Sequence, residues 1–151
     1  MTGLTHDERG YPVMTEQCQD KLVGRLVNKI RQNSDKIIRL EEKWTEDADV
    51  VVVAYGITAR VARMAVELAR AQGVKAGFLR LITVWPFAQK RIREMAGKIK
   101  AFVVPEINLG QMVLEVQRCA EGQAKTFSVP HHGGNVHDPQ VICKKILEAV
   151  R

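Results

Sequence analysis

The sequence contains few aromatic residues and no long apolar run. Aromatic side chains make up only 5% of its 151 residues, which argues against a surface that stacks nucleic-acid bases or sugar rings. The longest apolar run, over residues 50–57, is far shorter than the roughly 20 residues that cross a bilayer. The N-terminal residues carry charged side chains, among them Asp7 and Arg9, where a signal peptide has an apolar stretch. We therefore expect a cytoplasmic protein that does not bind a membrane.

Cysteine is also scarce. The three cysteines, Cys18, Cys119 and Cys143, are odd in number and far apart, and no two of them have C-x-x-C spacing. Such a set indicates neither a disulfide framework, nor a zinc site, nor an iron–sulfur cluster. We expect three reduced thiols and no metal bound by this chain.

The common motifs of nucleotide binding and covalent catalysis are missing. Neither G-x-G-x-x-G nor G-x-x-x-x-G-K-[ST] occurs, which disfavours a dinucleotide site, and there is no G-x-S-x-G nucleophile motif. The net charge of +6 is spread along the chain and comes without a recognisable nucleic-acid reader motif. We therefore expect no nucleic-acid partner.

The N-terminal part of the chain is predicted to differ from the remainder. Residues 1–14 show no periodicity and are predicted to form an extended leader. Residues 15–45 are predicted to be a flanking helix, with Thr15 as its N-cap and its helical pattern running to residue 43. Residues 33–35 are the place where this helix can break into two. Its apolar residues recur at three- and four-residue spacing and predict one buried face: Leu22, Val23, Leu26, Val27, Ile30, Ile37 and Ile38.

From residue 46 to residue 151 the pattern predicts an α/β domain. Residues 49–55 form a β-branched run that is typical of a strand buried on both faces of a parallel sheet. Further strands are predicted over residues 74–82, 101–104 and 126–129, and helices over residues 58–72, 88–98, 110–120 and from Asp138 onward. Strands that alternate with helices of this length predict a three-layer, doubly wound, mostly parallel sheet.

Ligands of such a sheet lie at the carboxyl ends of the strands, so the loops that follow the strands hold the candidate residues. After the first strand, Gly56 permits a tight turn, Thr58 can cap the next helix, and Arg60 lies in its first turn. That helix N-terminus either holds an anion or simply presents Arg60 to a partner chain. After the second strand, Trp85 is either a plug of the core or the anchor of an interface.

The loop after the third strand is the polar one, with Glu106, Asn108 and Gln111. A carboxylate at this position is able to act in acid–base chemistry if its pKa is raised. No second carboxylate or histidine lies near Glu106 in the sequence. We therefore expect these side chains to form a polar network with the loop backbone or with a neighbouring subunit.

The loop over residues 131–138 contains three histidines and Asp138, a combination that metal sites use. The histidines flank two glycines instead of having helix or hairpin spacing, and Asp138 before Pro139 is a strong helix start. We expect no metal here. None of the loops provides a complete catalytic set, so no residue of this chain is assigned a catalytic role.

Four segments resemble the α subunit of 2-oxoacid:ferredoxin oxidoreductases, and most of all that of the 2-oxoglutarate enzyme. They are residues 2–12, 54–60, 79–87 and 106–112, in the same order, and the last contains the fairly specific sequence Asn-Leu-Gly-Gln. The resemblance covers nearly the whole chain, but only the C-terminal part of that subunit, which is similar to the transketolase C-terminal domain. It implies that the leader connects to a preceding domain and that His6 lies near that junction.

The resemblance implies an enzyme that decarboxylates a 2-oxoacid on thiamine diphosphate with Mg²⁺, reduces ferredoxin through iron–sulfur clusters, and transfers the acyl group to coenzyme A. This chain has no motif for these groups, so the isolated chain is expected to bind none of them and to be inactive. The implied partners are the β subunit and the remaining α-subunit domain, with ferredoxin reached through the complex. The alternative is a stand-alone anion- or nucleotide-binding α/β module that uses residues 56–60.

Overall fold

The apolar runs in the second half of the chain become the strands of one sheet. In the computed structural model, which describes residues 4–151, the strands are β1 (Leu40–Lys43), β2 (Val50–Tyr55), β3 (Ala76–Leu81), β4 (Ala101–Glu106) and β5 (Lys125–Pro130). Their order across the sheet is β1-β3-β2-β4-β5, with β1 antiparallel to β3 and every other pair parallel. The predicted mostly parallel α/β sheet is confirmed.

Helices cover both faces of this sheet. They are α3 (Thr58–Ala71), α4 (Gln89–Ala96), α5 (Met112–Ala120) and α6 (Pro139–Ala149), and they follow α1 (Glu16–Arg31) and α2 (Ser34–Ile37) in the chain. Helix α3 packs against α6, and α4 packs against α5, as right-handed crossovers in both directions from β2 require. The Asp138 side chain caps α6 by accepting the N–H of Gln140 at 2.8 Å, as predicted. No helix between residues 4 and 151 is long and apolar enough to cross a membrane.

The core lies on both sides of the central strands. Val50, Val51, Val52 and Val53 are all fully buried, because a parallel strand between two helical layers has no solvent face. On one face, α3 presents small side chains to the sheet and to α6, which allows close approach: Ala59, Ala62, Ala65 and Ala69. Each fully buried valine contributes about 1.5–3 kcal/mol relative to an exposed one, so apolar burial dominates the stability of this unit.

The helix predicted over residues 15–43 is interrupted after Arg31, near the expected break at residues 33–35, and the prediction is wrong beyond Ile37. After the short helix α2, Ile38 takes extended backbone and residues 40–43 join the sheet as its edge strand. Pairing with β3, which places Leu40 opposite Leu81, overrides the helical spacing of the apolar residues. The chain divides into two compact units, one ending at Ile38 and one running from Arg39 to Arg151, so the sheet-containing unit starts before the expected residue 46.

The first unit also differs from the extended leader predicted for residues 1–14, of which residues 1–3 lie outside the described residues. The backbone folds back on itself: the N–H of Val13 donates to the Thr5 carbonyl at 3.1 Å. The Asp7 carboxylate holds the turn by accepting the backbone N–H groups of Arg9 and Tyr11 at 2.9 and 3.0 Å. The hydrogen bond from the Arg9 side chain lowers the pKa of Asp7, which keeps this acceptor charged.

Helix α1 begins as predicted, with the Thr15 hydroxyl accepting the N–H of Cys18 at 3.3 Å. The predicted buried face is wrong for most of its length. Leu22 is buried, but Val23, Leu26 and Val27 are exposed. Three- and four-residue spacing shows that apolar side chains share a helix face. It does not show that other residues of this chain pack on that face.

Candidate functional site

The carboxyl ends of β2 and β4 meet where the chain order of the sheet reverses. From β2 the chain passes to β3 on one side, and it then returns past β2 to β4 on the other. The β2–β4 ladder pairs Val52 with Val103 and ends there, so the last three residues of each strand are not paired with each other. In open α/β sheets, this opening at the switch point is where ligands usually bind.

Glu106, the last residue of β4, is the centre of a polar network at this point. Its side chain is 0% exposed. It accepts the backbone N–H groups of Met112 and Val113 at 2.9 Å each, and that of Gln111 at 3.1 Å. These N–H groups belong to the start of α5 and have no intrahelical partner, so Glu106 caps the helix from outside it.

Tyr55 and Asn108 complete the network from two neighbouring loops. The Tyr55 hydroxyl donates to Glu106 at 3.0 Å, and the Asn108 amide donates to the Tyr55 oxygen at 3.1 Å and to Glu106 at 3.2 Å. The side-chain Oδ1 of Asn108 accepts the backbone N–H of Gly110 at 2.7 Å and closes the loop. Burial raises the pKa of Tyr55 above its ordinary value, and the neighbouring Glu106 charge raises it further.

This arrangement is suited to holding a loop and not to proton transfer with a substrate. The Glu106 carboxylate already has five donors around it, including three from the α5 backbone. A general base needs an acceptor position open to the reacting proton. The sequence left acid–base chemistry and a polar network as alternatives for Glu106, and the hydrogen bonds show a polar network with the loop backbone. The side chain of Gln111 is exposed at the helix start, and only its N–H joins the network.

The loop after β2 has the predicted turn but not the predicted cap. Gly56 has a φ of +55°, which favours glycine. Helix α3 begins at Thr58 itself, which is buried, and the cap position belongs to Ile57, whose side chain makes no capping hydrogen bond. The expectation that Thr58 caps α3 is therefore wrong. Arg60 is exposed in the first turn of the helix.

The loop after β3 contains a cis Trp85–Pro86 peptide bond, and the two aromatic residues on either side of Pro86 have different environments. Phe87 is 4% exposed and fills the core, whereas Trp85 is 73% exposed. Trp85 is therefore not the core plug that the sequence left open as one alternative. With it, the loops after β2, β3 and β4 expose five large apolar side chains, which we call the apolar rim: Ile57, Ile82, Trp85, Ile107 and Leu109.

The histidine loop is connected to strand β5 by a histidine side chain. His137 is buried, and its Nε2 lies 2.8 Å from the Val129 carbonyl oxygen. The His131 ring lies against it with centroids 5.0 Å apart. Between residues 4 and 151, no group of three or more His, Cys, Asp or Glu side chains is placed to hold a metal ion.

The predicted candidates do not form one cluster. Glu106, Asn108 and the Gln111 backbone come together, while Arg60 and Trp85 project from other loops. His6 belongs to the first unit, where it lines a cleft of about 550 Å³ with residues of α1 such as Lys21 and Arg25. Tyr55 was missed as a site residue, although its place at the end of a buried strand is a signal that the sequence contains.

Comparison with known proteins identifies the relatives of this chain. The family model "Pyruvate:ferredoxin oxidoreductase core domain II" matches residues 48–142. The 2-oxoglutarate synthase subunit KorA of Methanothermobacter marburgensis is 46% identical over 148 residues, which cover 97% of this chain and 40% of that protein. The ketoisovalerate oxidoreductase subunit VorB of the same organism is 44% identical over 111 residues, which cover 74% of this chain and 31% of that protein.

A solved structure shows the same fold. It is the 2-oxoglutarate:ferredoxin oxidoreductase from Magnetococcus marinus with 2-oxoglutarate, coenzyme A and succinyl-CoA bound. The match has a TM-score of 0.82 at 26% identity and covers 99% of this chain and 26% of that chain. This chain spans about 40% of the length of the 2-oxoglutarate synthase subunits that it matches. The resemblance found in the four sequence segments is confirmed, and the chain belongs to the pyruvate:ferredoxin oxidoreductase core domain II family.

Proposed function

We propose that this chain is the C-terminal domain of the α subunit of a 2-oxoglutarate:ferredoxin oxidoreductase, where it supports subunit assembly and completes the enzyme. The observation that carries the proposal is the similarity to 2-oxoglutarate synthase subunits, at 46% and 43% identity over essentially the whole chain. The complete enzyme oxidatively decarboxylates a 2-oxoacid to an acyl-coenzyme A and reduces ferredoxin. Its other parts are the β subunit and the remaining α-subunit domain.

The geometry at the carboxyl edge of the sheet supports an assembly role. The side chains of Tyr55 and Asn108 are directed into the loop network around Glu106, and the apolar rim is directed to solvent. Exposed tryptophan side chains are enriched at the centres of protein interfaces, and grouped exposed apolar residues mark contact surfaces. We propose that the apolar rim contacts the β subunit or the remaining α-subunit domain, with Trp85 as its anchor.

Two observations on residues 4–151 bear on the metal-containing groups that the family implies. No group among these residues is placed to hold a metal ion, and Cys119 and Cys143 are buried singly in the core. We propose that thiamine diphosphate with its Mg²⁺, the iron–sulfur clusters and coenzyme A are bound elsewhere in the complex. No chemical step is assigned to this chain.

Reconstitution tests the proposal. The tagged chain is co-expressed with the β subunit and the remaining α-subunit segment from the same genome and purified without oxygen. We expect co-purification and coenzyme A-dependent reduction of ferredoxin, fastest with 2-oxoglutarate when pyruvate and 2-oxoisovalerate are assayed beside it. The absence of both association and activity would refute the assignment. A preference for 2-oxoisovalerate would refute 2-oxoglutarate as the substrate.

Replacement of Trp85 tests the apolar rim. Trp85→Ala should leave the unfolding midpoint of the isolated chain nearly unchanged, because the side chain is 73% exposed, and should weaken association with the partner subunits by at least about tenfold. Val141→Ala, an exposed apolar residue on α6, is the matched control and should change neither quantity. If the two variants associate equally well with the partner subunits, the apolar rim is not part of the interface.

A further inference from the structure

A cleft of about 300 Å³ lies beside α3, over the edge strand β1 and its neighbour β3. It is lined by Glu41, Ala59, Arg60, Arg63, Phe78 and Arg80. The fold itself brings these residues together: Glu41 on β1 is directly opposite Arg80 on β3, and Arg60 and Arg63 are one turn apart on α3. The volume is at the lower end of the range for small-molecule sites.

The cleft carries excess positive charge. Three arginines and a single glutamate line it, which gives the lining residues a net charge of +2. Glu41 is taken by Arg80, whose Nη1 lies 3.1 Å from its carboxylate. Arg63 lies 3.8 Å from Glu67 in an exposed helical pair, which is a weak interaction. Arg60 has no hydrogen bond or ion pair from its side chain with any residue between 4 and 151.

One donor in the wall of the cleft is unsatisfied. The Nε atom of Arg80 is shielded from solvent and has no hydrogen-bond partner among residues 4–151, although the side chain as a whole is 43% exposed and its Nη1 is paired with Glu41. Buried donors in native proteins are nearly always satisfied, because an unpaired one loses its hydration without compensation. A ligand oxygen in the cleft would supply the missing acceptor.

We propose that this cleft binds an oxyanion of the phosphate class. Guanidinium groups bind phosphate oxygens through paired, charge-assisted hydrogen bonds, and a phosphate or pyrophosphate group matches the two excess positive charges. Arg60 and Arg63 lie in the first two turns of α3, where the helix dipole also favours an anion. The site shares Arg60 with the loop over residues 56–60 that the sequence suggested for an anion, but it does not include the Gly56 turn, and its other arginines are Arg63 and Arg80. It also does not depend on the proposed enzyme.

Titration calorimetry on the full chain at low ionic strength tests the site with inorganic phosphate, pyrophosphate and ADP. The double variant Arg60→Gln/Arg63→Gln should weaken pyrophosphate binding by at least about tenfold. The control is Arg93→Gln/Arg118→Gln, which removes two exposed helical arginines elsewhere and the same two charges. ADP binding that is as strong as pyrophosphate binding, or stronger, and that is lost in the same variant also supports a phosphate site. No saturable binding, or equal loss in both variants, would overturn the proposal.

A second pair of variants predicts a change of the opposite sign. Glu41→Gln removes the competing carboxylate and frees Arg80, so pyrophosphate binding should become tighter by a few fold. Glu42→Gln, the next residue of the same strand, changes the net charge equally but is bonded to Arg91 on α4. It should leave the affinity within about twofold of the wild-type value. Equal tightening by both would show a general charge effect and overturn the site.

Discussion

Replacement of Glu106 by glutamine should destabilise the α/β unit strongly, although the side chain barely changes in volume. In the Glu106→Gln variant, the single amide oxygen can keep the bonds from Tyr55 and Met112 at the Oε2 position. The amide NH₂ then takes the Oε1 position and faces the N–H of Val113, at 2.9 Å from it. Two donors meet there, and neither has an acceptor.

The free energies follow from these contacts. Each buried donor without a partner costs about 1–3 kcal/mol. Loss of the negative charge at the start of α5 adds about 0.3–1 kcal/mol. We expect a total loss of about 2–7 kcal/mol, a large part of the roughly 5–15 kcal/mol that stabilises a typical domain. For a chain of this size, the unfolding midpoint should fall by roughly 10 °C.

Tryptophan fluorescence during thermal and urea unfolding measures this change. Both tryptophans, Trp44 and Trp85, lie in the unit from Arg39 to Arg151, so the signal reports on that unit. Glu115→Gln is the matched control on α5: its exposed pair with Arg118 at 2.8 Å should contribute less than about 1 kcal/mol. If Glu106→Gln costs no more than Glu115→Gln, the capping role assigned to Glu106 is incorrect.

Three further predictions concern single positions. Gly77→Ala should cost about 1–3 kcal/mol, because its Cβ would lie 2.9 Å from the Trp44 carbonyl oxygen; an unchanged urea midpoint would contradict this. In a Tyr11→Phe background, the phenolate absorbance of Tyr55 should titrate with a pKa above 10.0. The folded protein favours the neutral Tyr55 hydroxyl, so the stability that this group contributes is fully present below pH 10 and is lost as the pH rises through its raised pKa. A measured Tyr55 pKa at or below 10.0 would disprove the burial argument. Asp138→Ala should cost about 1 kcal/mol by calorimetry, and no loss would show that α6 does not need its cap.

Within the candidate site, the sequence predicted features of single loops but not which loops contact one another. Glu106 and Asn108 are close in the chain, so a shared network was predictable from the strand end and the turn that follows. Tyr55 is distant from both in the chain, and its bond to Glu106 exists only because β2 and β4 are neighbours in the sheet. The sequence also could not decide between core and surface for Trp85, because both roles favour the same residue type.

The sequence alone determined the local and periodic features of this protein. The buried β-branched run of β2, the start of α6 at Asp138 and the order of strands and helices from β2 to α6 follow from residue types and spacings over a few positions. Tertiary structure decided what depends on distant pairing. It made residues 40–43 an edge strand opposite β3, directed the Glu106 carboxylate to the start of α5, and placed Glu41 beside Arg80 and the α3 arginines. These contacts join residues far apart in the chain, and the free energy that selects them comes from pairing and burial that no short segment contains.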